Sequence, residues 1–254
     1  AVAKSAGSDE YRSRAQSLAC LVQMRRGGYT AAVATAAAAL RAARACRKAP
    51  LEALALFRLG EAQFRAAKNK EAARNAARAV ELYEKLGDPV GQGRASWALA
   101  AALRDIGQIE ESRKALGEAL ALARGSGDQY GLGNALNQTS INTADLAACL
   151  SLLNQALAAY EASGWLERQG AATANLGVLY SRFGLYRRSR RLTLKAGELY
   201  RRTKARGPLA NSLFVLAATE TNMGHCDAAR AIAGEAEGLI EEGLEAVFAG
   251  RSLR

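Results

Sequence analysis

The sequence is short of the features that would place it in a membrane or in a disulfide-stapled scaffold. Its 254 residues include three Pro, four Cys and a single His. Every apolar stretch meets an Arg, Lys, Glu or Asp before the roughly 18 residues that a membrane-spanning helix requires. Ala1 to Glu10 contain Lys4 but no apolar segment of the kind found in a secretory signal. The chain also starts without Met, which reads as a processed chain or, better, a piece excised from a longer protein. Cys20, Cys46, Cys149 and Cys226 show no C-x-x-C spacing, so they are expected to be small reduced thiols, not a disulfide framework. These absences together point to the cytoplasm.

What is abundant is alanine, with 58 residues, beside Leu, Arg, Glu and Lys. These are the strong helix formers, and half of the chain is apolar, so the composition predicts an ordered all-α fold with a large core. The net charge of +11 is uneven. Arg182 to Arg206 holds ten basic residues against Glu198 alone, and the next segment reverses the sign with Asp227, Glu235, Glu237, Glu241, Glu242 and Glu245 against Arg230. Neighbouring solvated faces that partly neutralise each other explain this pattern best. The rival is a basic strip for an acidic partner.

Catalytic chemistry is not in evidence. His225 adjoins Cys226, but neighbours in a helical turn seldom point together, and a metal would need two further ligands nearby. Gly91-Gln-Gly93 and Gly131-Leu-Gly133 look like fragments of a dinucleotide fingerprint, yet neither follows a strand pattern. They read better as helix starts. The expectation is a chain that is not an enzyme, with no cofactor and no metal.

The chain repeats itself. Gly27-Gly-Tyr-Thr-Ala-Ala32, Gly107-Gln-Ile-Glu-Glu-Ser112, Gly184-Leu-Tyr-Arg-Arg-Ser189 and Gly224-His-Cys-Asp-Ala-Ala229 align, with degenerate copies ending at Ala72 and Cys149. The small residues that close these segments fall at 32, 72, 112, 149, 189 and 229. Successive intervals are therefore 40, 40, 37, 40 and 40 residues. An amphipathic stretch flanks each segment on both sides, and Pro or Gly loops separate the units, as at Lys48-Ala-Pro50, Gly87-Asp-Pro89 and Gly125-Ser-Gly-Asp128. Asp128 is a candidate cap for the helix that follows. Six helix pairs result, over about 9–48, 49–88, 89–127, 128–164, 165–206 and 207–248, in one domain spanning 9–254 behind a flexible leader, 1–8.

Ala174-Asn-Leu-Gly-Val-Leu-Tyr-Ser-Arg-Phe-Gly-Leu-Tyr-Arg-Arg-Ser189 resembles the tetratricopeptide repeat, matching its pattern at Leu176, Gly177, Tyr180, Gly184, Tyr186 and Ser189. The long unit is similar to the form found in kinesin light chains, Pins-type polarity adaptors and the sensor regions of bacterial transcription activators and cyclases. High Ala and Arg content tilts the reading towards the bacterial members. The resemblance implies a right-handed α-solenoid whose first helices line a concave face, closed by a long C-terminal capping helix. It also implies a protein-interaction or scaffold module, probing a partner segment on that face, as the regulatory part of a larger signalling or transcription-control protein.

Transferring the family's inner positions gives Arg25, Phe57, Phe64, Arg65, Arg94, Trp97, Arg104, Asn134, Gln138, Asn175, Arg182, Asn211 and Phe214 as the candidate binding surface. Arg supplies charge, the aromatics supply anchors, and the amides can serve a peptide backbone. Phe57 and Trp97 have a second reading as packing residues between helices. No unit holds the Lys/Asn pair of the family's chaperone-binding members, which disfavours a co-chaperone. The expected partner is a protein or peptide segment, acidic or polar, with self-association left open and no membrane. An effector-sensing domain for a small molecule or peptide is the alternative. Nucleic-acid binding through Arg187, Arg188, Arg190, Arg191 and Lys195 comes third.

Overall fold

In the computed structural model, the backbone is described for residues 2–252 and the side chains for 8–241. Twelve helices and no strand occur among these residues. In chain order they are α1 (Val2–Arg25), α2 (Tyr29–Ala45), α3 (Ala49–Arg65), α4 (Asn69–Leu86), α5 (Pro89–Asp105), α6 (Ile109–Ser126), α7 (Gln129–Ile141), α8 (Leu146–Ala162), α9 (Leu166–Arg182), α10 (Tyr186–Thr203), α11 (Arg206–Asn222) and α12 (Cys226–Ser252), and α1 packs with α2, α3 with α4, α5 with α6, α9 with α10 and α11 with α12. The fold is an all-α helical repeat. From Val2 onward the residues read as a leader are backbone of α1. By packing, the chain divides into two compact units, 1–139 and 140–254, where the sequence suggests a single array.

The repeat register explains why these sequences form these helices. Ala32, Ala72, Ser112, Cys149, Ser189 and Ala229, the small residues that close each motif, are all buried. They let two helices approach closely. The interval of 37 arises because α7 has 13 residues, against 17 in α3, α5, α9 and α11. A second column of small residues runs through the first helices, at Ala55, Ala95, Ala135, Ala172 and Ser212, and each is buried.

Helix ends follow from local chemistry. Asp88 accepts the Gly91 amide at 2.9 Å at the start of α5, with Pro89 at the first helical position. A Cβ at Gly91 would collide with the ring of Tyr83 and with that capping carboxylate, and one at Gly131 would stand 2.5 Å from Asp128 Oδ2. The glycine doublets are thus capping and packing features. Asp145 caps α8 by accepting from Ala147 and Ala148.

Candidate functional site

In the first unit, α1 packs on α3 and α3 on α5, while no two second helices pack comparably among the described residues. The first-helix side is therefore the crowded side, and several candidate residues lie inside it instead of on it. Phe57 is 2% exposed and Trp97 5% exposed. Both belong to the core, which corrects their reading as groove anchors: helices drawn together by alanine leave the large ring as the filler between them. Asn134 and Gln138 are likewise buried. Phe64 is half-buried against the alanine cluster of Ala72, Ala73 and Ala102.

The arginines of this unit are engaged with their own chain. Arg94 donates from Nε and Nη2 to the two oxygens of Asp128, at 2.7 and 2.8 Å, and its guanidinium lies 5.2 Å from the centroid of the Tyr130 ring. Arg104 donates to Asp105 at 2.6 Å. Arg65 stands 3.9 Å from the buried carboxylate of Glu61, which takes a closer bond, 2.9 Å, from Arg58. Arg58 also stacks over Phe57 at 4.9 Å. Arg25 is half-buried.

Burial pushes the Tyr130 hydroxyl up to about 12, with the Glu61 carboxylate adding to the shift and a hydrogen bond with Asn134 opposing it. A polar cluster of Arg58, Glu61, Arg65, Arg94, Tyr130 and Asn134 is thus built from three first helices, α3, α5 and α7. Sequence reasoning missed Arg58 and Tyr130 as members, and Asp128 as the partner of Arg94: Arg58 sits one place from the inner position at Phe57, Tyr130 one helical turn before that at Asn134, and Asp128 was read as a helix cap alone. The signal available was the glycine at 131, which leaves room for the Asp128 carboxylate. Beside this cluster a cavity of about 460 Å³ opens between α3, α4 and α5, lined by Leu54, Phe57, Arg58, Tyr83, Val90 and Arg94 among others.

The second unit differs. Phe214 and Val178 are each 38% exposed, Arg182 and Asn211 are exposed, and Asn175 is half-buried beside them. The first helices α9 and α11 therefore carry an accessible surface that mixes apolar, cationic and amide groups. Behind them a buried hydroxyl column ties α10 to α11: Ser189 and Thr219 share a hydrogen bond of 3.1 Å, and Ser212 donates to the Thr193 carbonyl at 3.3 Å.

Glu220 at the end of α11 is buried, and it accepts from Arg190 at 2.5 Å and bonds His225 Nδ1 at 2.7 Å. Burial would raise this carboxyl, but the bonds from His225 and Arg190 and their charges outweigh it and hold it below the usual range. His225 is thereby committed to Glu220 rather than to Cys226. Cys226 is exposed, whereas Tyr29 and Tyr186 at the same register position are half-buried. Of the outer basic strip, Arg190 is taken up by Glu220 and Arg188 lies 5.7 Å from the Tyr180 ring. Arg187, Arg191 and Lys195 are exposed.

No cluster of His, Cys, Asp or Glu suited to a metal occurs among the described residues, and no described helix is long and apolar enough to cross a membrane. No protein-family model and no curated protein sequence matches the chain. Solved structures do match in fold. BtubC (BKLC) from P. vanneervenii is 14% identical, over 87% of this chain and 91% of that one, with a TM-score of 0.62. A Rap protein complexed with Competence and Sporulation Factor is 14% identical, over 92% and 76%, with a TM-score of 0.65. The signal transduction ATPase of the STAND class with a tetratricopeptide repeat sensor, from Pyrococcus horikoshii, is 16% identical, over 94% of this chain and 43% of that one, with a TM-score of 0.54. The architecture is that of a tetratricopeptide-type repeat.

Proposed function

We propose that this chain is a cytoplasmic protein-interaction module that takes an acidic or polar partner segment on the first-helix face of its second unit, as the regulatory part of a larger bacterial signalling or transcription-control protein. One observation carries the reading: Phe214 and Val178 expose apolar surface on α11 and α9 beside Arg182 and Asn211. Aromatic and arginine side chains are those that most often dominate binding energy at interfaces. The Rap structure, complexed with Competence and Sporulation Factor, is a precedent for a regulatory factor held by a repeat of this kind.

The test is affinity capture with quantitative mass spectrometry, comparing the wild-type chain, the double variant Phe214→Ala with Arg182→Glu, and the triple variant Arg187→Glu, Arg188→Glu, Arg191→Glu. Partners lost only in the double variant support the first-helix face. Partners lost only in the triple variant overturn it in favour of the outer strip.

A second reading, an effector-sensing domain, draws on the cavity of about 460 Å³ flanked by Arg58 and Arg94 in the first unit. Two cations and the rings of Phe57 and Tyr83 suit a small anionic or aromatic molecule. A thermal shift on adding such compounds, abolished by Arg58→Ala, checks it.

A further inference from the structure

The outer face of α10 carries charge that the fold leaves uncompensated. Ser189, Thr193, Ala196, Gly197 and Tyr200 are buried on the side where α10 packs with α9 and α11. Arg187, Arg191, Lys195 and Arg202 follow one another at intervals of four, four and seven residues, which sets them on one stripe of the helix opposite those buried residues. All four are exposed, and none has an ion pair among the described residues. The other cations of α10 are engaged. Arg190 donates to Glu220 at 2.5 Å, Arg201 donates to Glu235 at 2.7 Å, and Arg188 lies 5.7 Å from the centroid of the Tyr180 ring. Helices precede and follow α10 in its unit, so this face is open because a second helix turns one side to solvent.

A comparison with α4 shows what is particular to α10. The helix starts Asn69 and Tyr186 put Lys70, Arg74, Arg78 and Lys85 in register with the four cations, and these too are exposed. Glu81 on α4 and Glu198 on α10 share one register position. The flanks differ. Where α4 has Glu71 and Glu84, α10 has Arg188 and Arg201. The α4 stripe is therefore neutralised by its own helix, with four bases among three acids, whereas α10 has seven bases and one acid. α10 also has no acid in its first turn, where α4 has Glu71. Cations at that end oppose the helix dipole, and a polyanion lying along the face would relieve the opposition.

The make-up of the face selects the partner. Between Arg187 and Arg202 the helix advances roughly 22 Å. Over that length Leu194, 36% exposed, is the one large apolar side chain open to solvent, and no aromatic ring is exposed. Protein partners are held by desolvated anchors, and exposed ion pairs alone contribute little. Firm docking on a bilayer takes apolar side chains that enter it, and a single strand takes rings on which its bases stack. A duplex requires only cations, because each phosphate neutralised releases condensed counterions and the effect accumulates along the backbone. Three of the four side chains are guanidinium groups, which offer paired N–H donors to phosphate oxygens.

We infer that the outer face of α10 binds the phosphate backbone of a nucleic-acid duplex, without reading its sequence, through Arg187, Arg191, Lys195 and Arg202. The contact uses neither the first-helix face of α9 and α11 nor the cavity of the first unit, and it stands independently of the function proposed above.

Fluorescence anisotropy of the 254-residue chain with a labelled duplex DNA tests the inference, with circular dichroism to verify helix content. Log affinity should fall linearly with log salt at a slope of about 3–4, the value for four phosphates, which is roughly a hundredfold between about 50 and 200 mM. Scrambling the duplex sequence should change little. Arg191→Ala should lower the slope by about one, and Glu198→Gln should tighten binding. Arg187→Glu with Arg191→Glu should weaken binding more than about tenfold. Arg74→Glu with Arg78→Glu, the same change of charge on α4, should weaken it far less, and Phe214→Ala on the first-helix face should leave it unchanged. A wild type that does not bind the duplex at low salt overturns the inference. Equal losses from the α4 and α10 pairs overturn it as well, since the net charge of +11 then acts without a site. So does a preference for single-stranded DNA over the duplex, or for phosphatidylglycerol vesicles, which would make the face a lipid contact.

Discussion

Arg94 and Asp128 meet through two parallel hydrogen bonds, and the same carboxylate accepts the backbone N–H groups of Tyr130 and Gly131 at the start of α7. One side chain therefore caps a helix and holds an arginine that covers a buried tyrosine ring. Burial alone would raise the Asp128 carboxyl; the Arg94 bonds and charge, with the two amides, bring it below its ordinary value. Stability from this group is fully present above the unfolded value, about pH 4, and is lost as pH falls through the lower folded value. Asp128→Ala should cost about 2–3 kcal/mol at neutral pH, the sum of a lost cap and a partly exposed charge pair. Urea unfolding followed against pH should show the acid-side loss shrink in the variant.

Glu220 is the corresponding group of the second unit. Its folded carboxyl is also lowered, so its contribution is present above the ordinary glutamate value and fades as pH falls through the folded one. Glu220→Gln should cost about 1.5–3 kcal/mol, the usual range for a hydrogen bond to a charged group. Chemical denaturation at neutral and acid pH reads both the loss and its sign.

Gly177 lies where α9 and α10 cross. A Cβ there would stand 2.6 Å from Thr193 Oγ1 and 3.4 Å from the Ser189 carbonyl oxygen. Gly177→Leu should destabilise by about 1–3 kcal/mol or more through overpacking. Gly117 in α6 has no neighbour near its missing Cβ. Gly117→Ala should stabilise by about 1 kcal/mol, from helix propensity alone. Thermal melts of both variants separate close approach from backbone freedom.

Ala67 occupies the turn between α3 and α4 at a φ of +57°, where Gly27, Gly107, Gly184 and Gly224 serve in other units. A Cβ in that conformation costs roughly 1–2 kcal/mol. Ala67→Gly should therefore raise the melting temperature, while Gly107→Ala, at a φ of +84°, should lower it.

The repeat was legible because small residues at fixed intervals have one physical use, the close crossing of two helices, and Ala32 through Ala229 all serve it. The binding surface was less so. Register states which helix face a residue shares with its family counterparts, but not how far the neighbouring helices close over it. Phe214 and Val178 stay accessible, whereas Phe57 and Trp97 at related positions are engulfed. The pairing of Arg94 with Asp128 spans 34 residues and depends on the start of α7 meeting the body of α5, a distance no periodicity encodes. Likewise the proximity of His225 and Cys226 in sequence concealed that the imidazole turns back to Glu220, five residues earlier.

The alanine column through the first helices has a thermodynamic consequence. A one-carbon side chain has no rotamers to freeze, so burying it forfeits no side-chain entropy, whereas a buried leucine loses about 0.5–1 kcal/mol. It also removes little apolar area from water, and area sets the heat capacity of unfolding. A stack held by alanine therefore gains its cohesion from closely apposed backbones. Its stability curve should be flatter with temperature than that of a leucine-filled bundle of equal length, with less weakening on cooling.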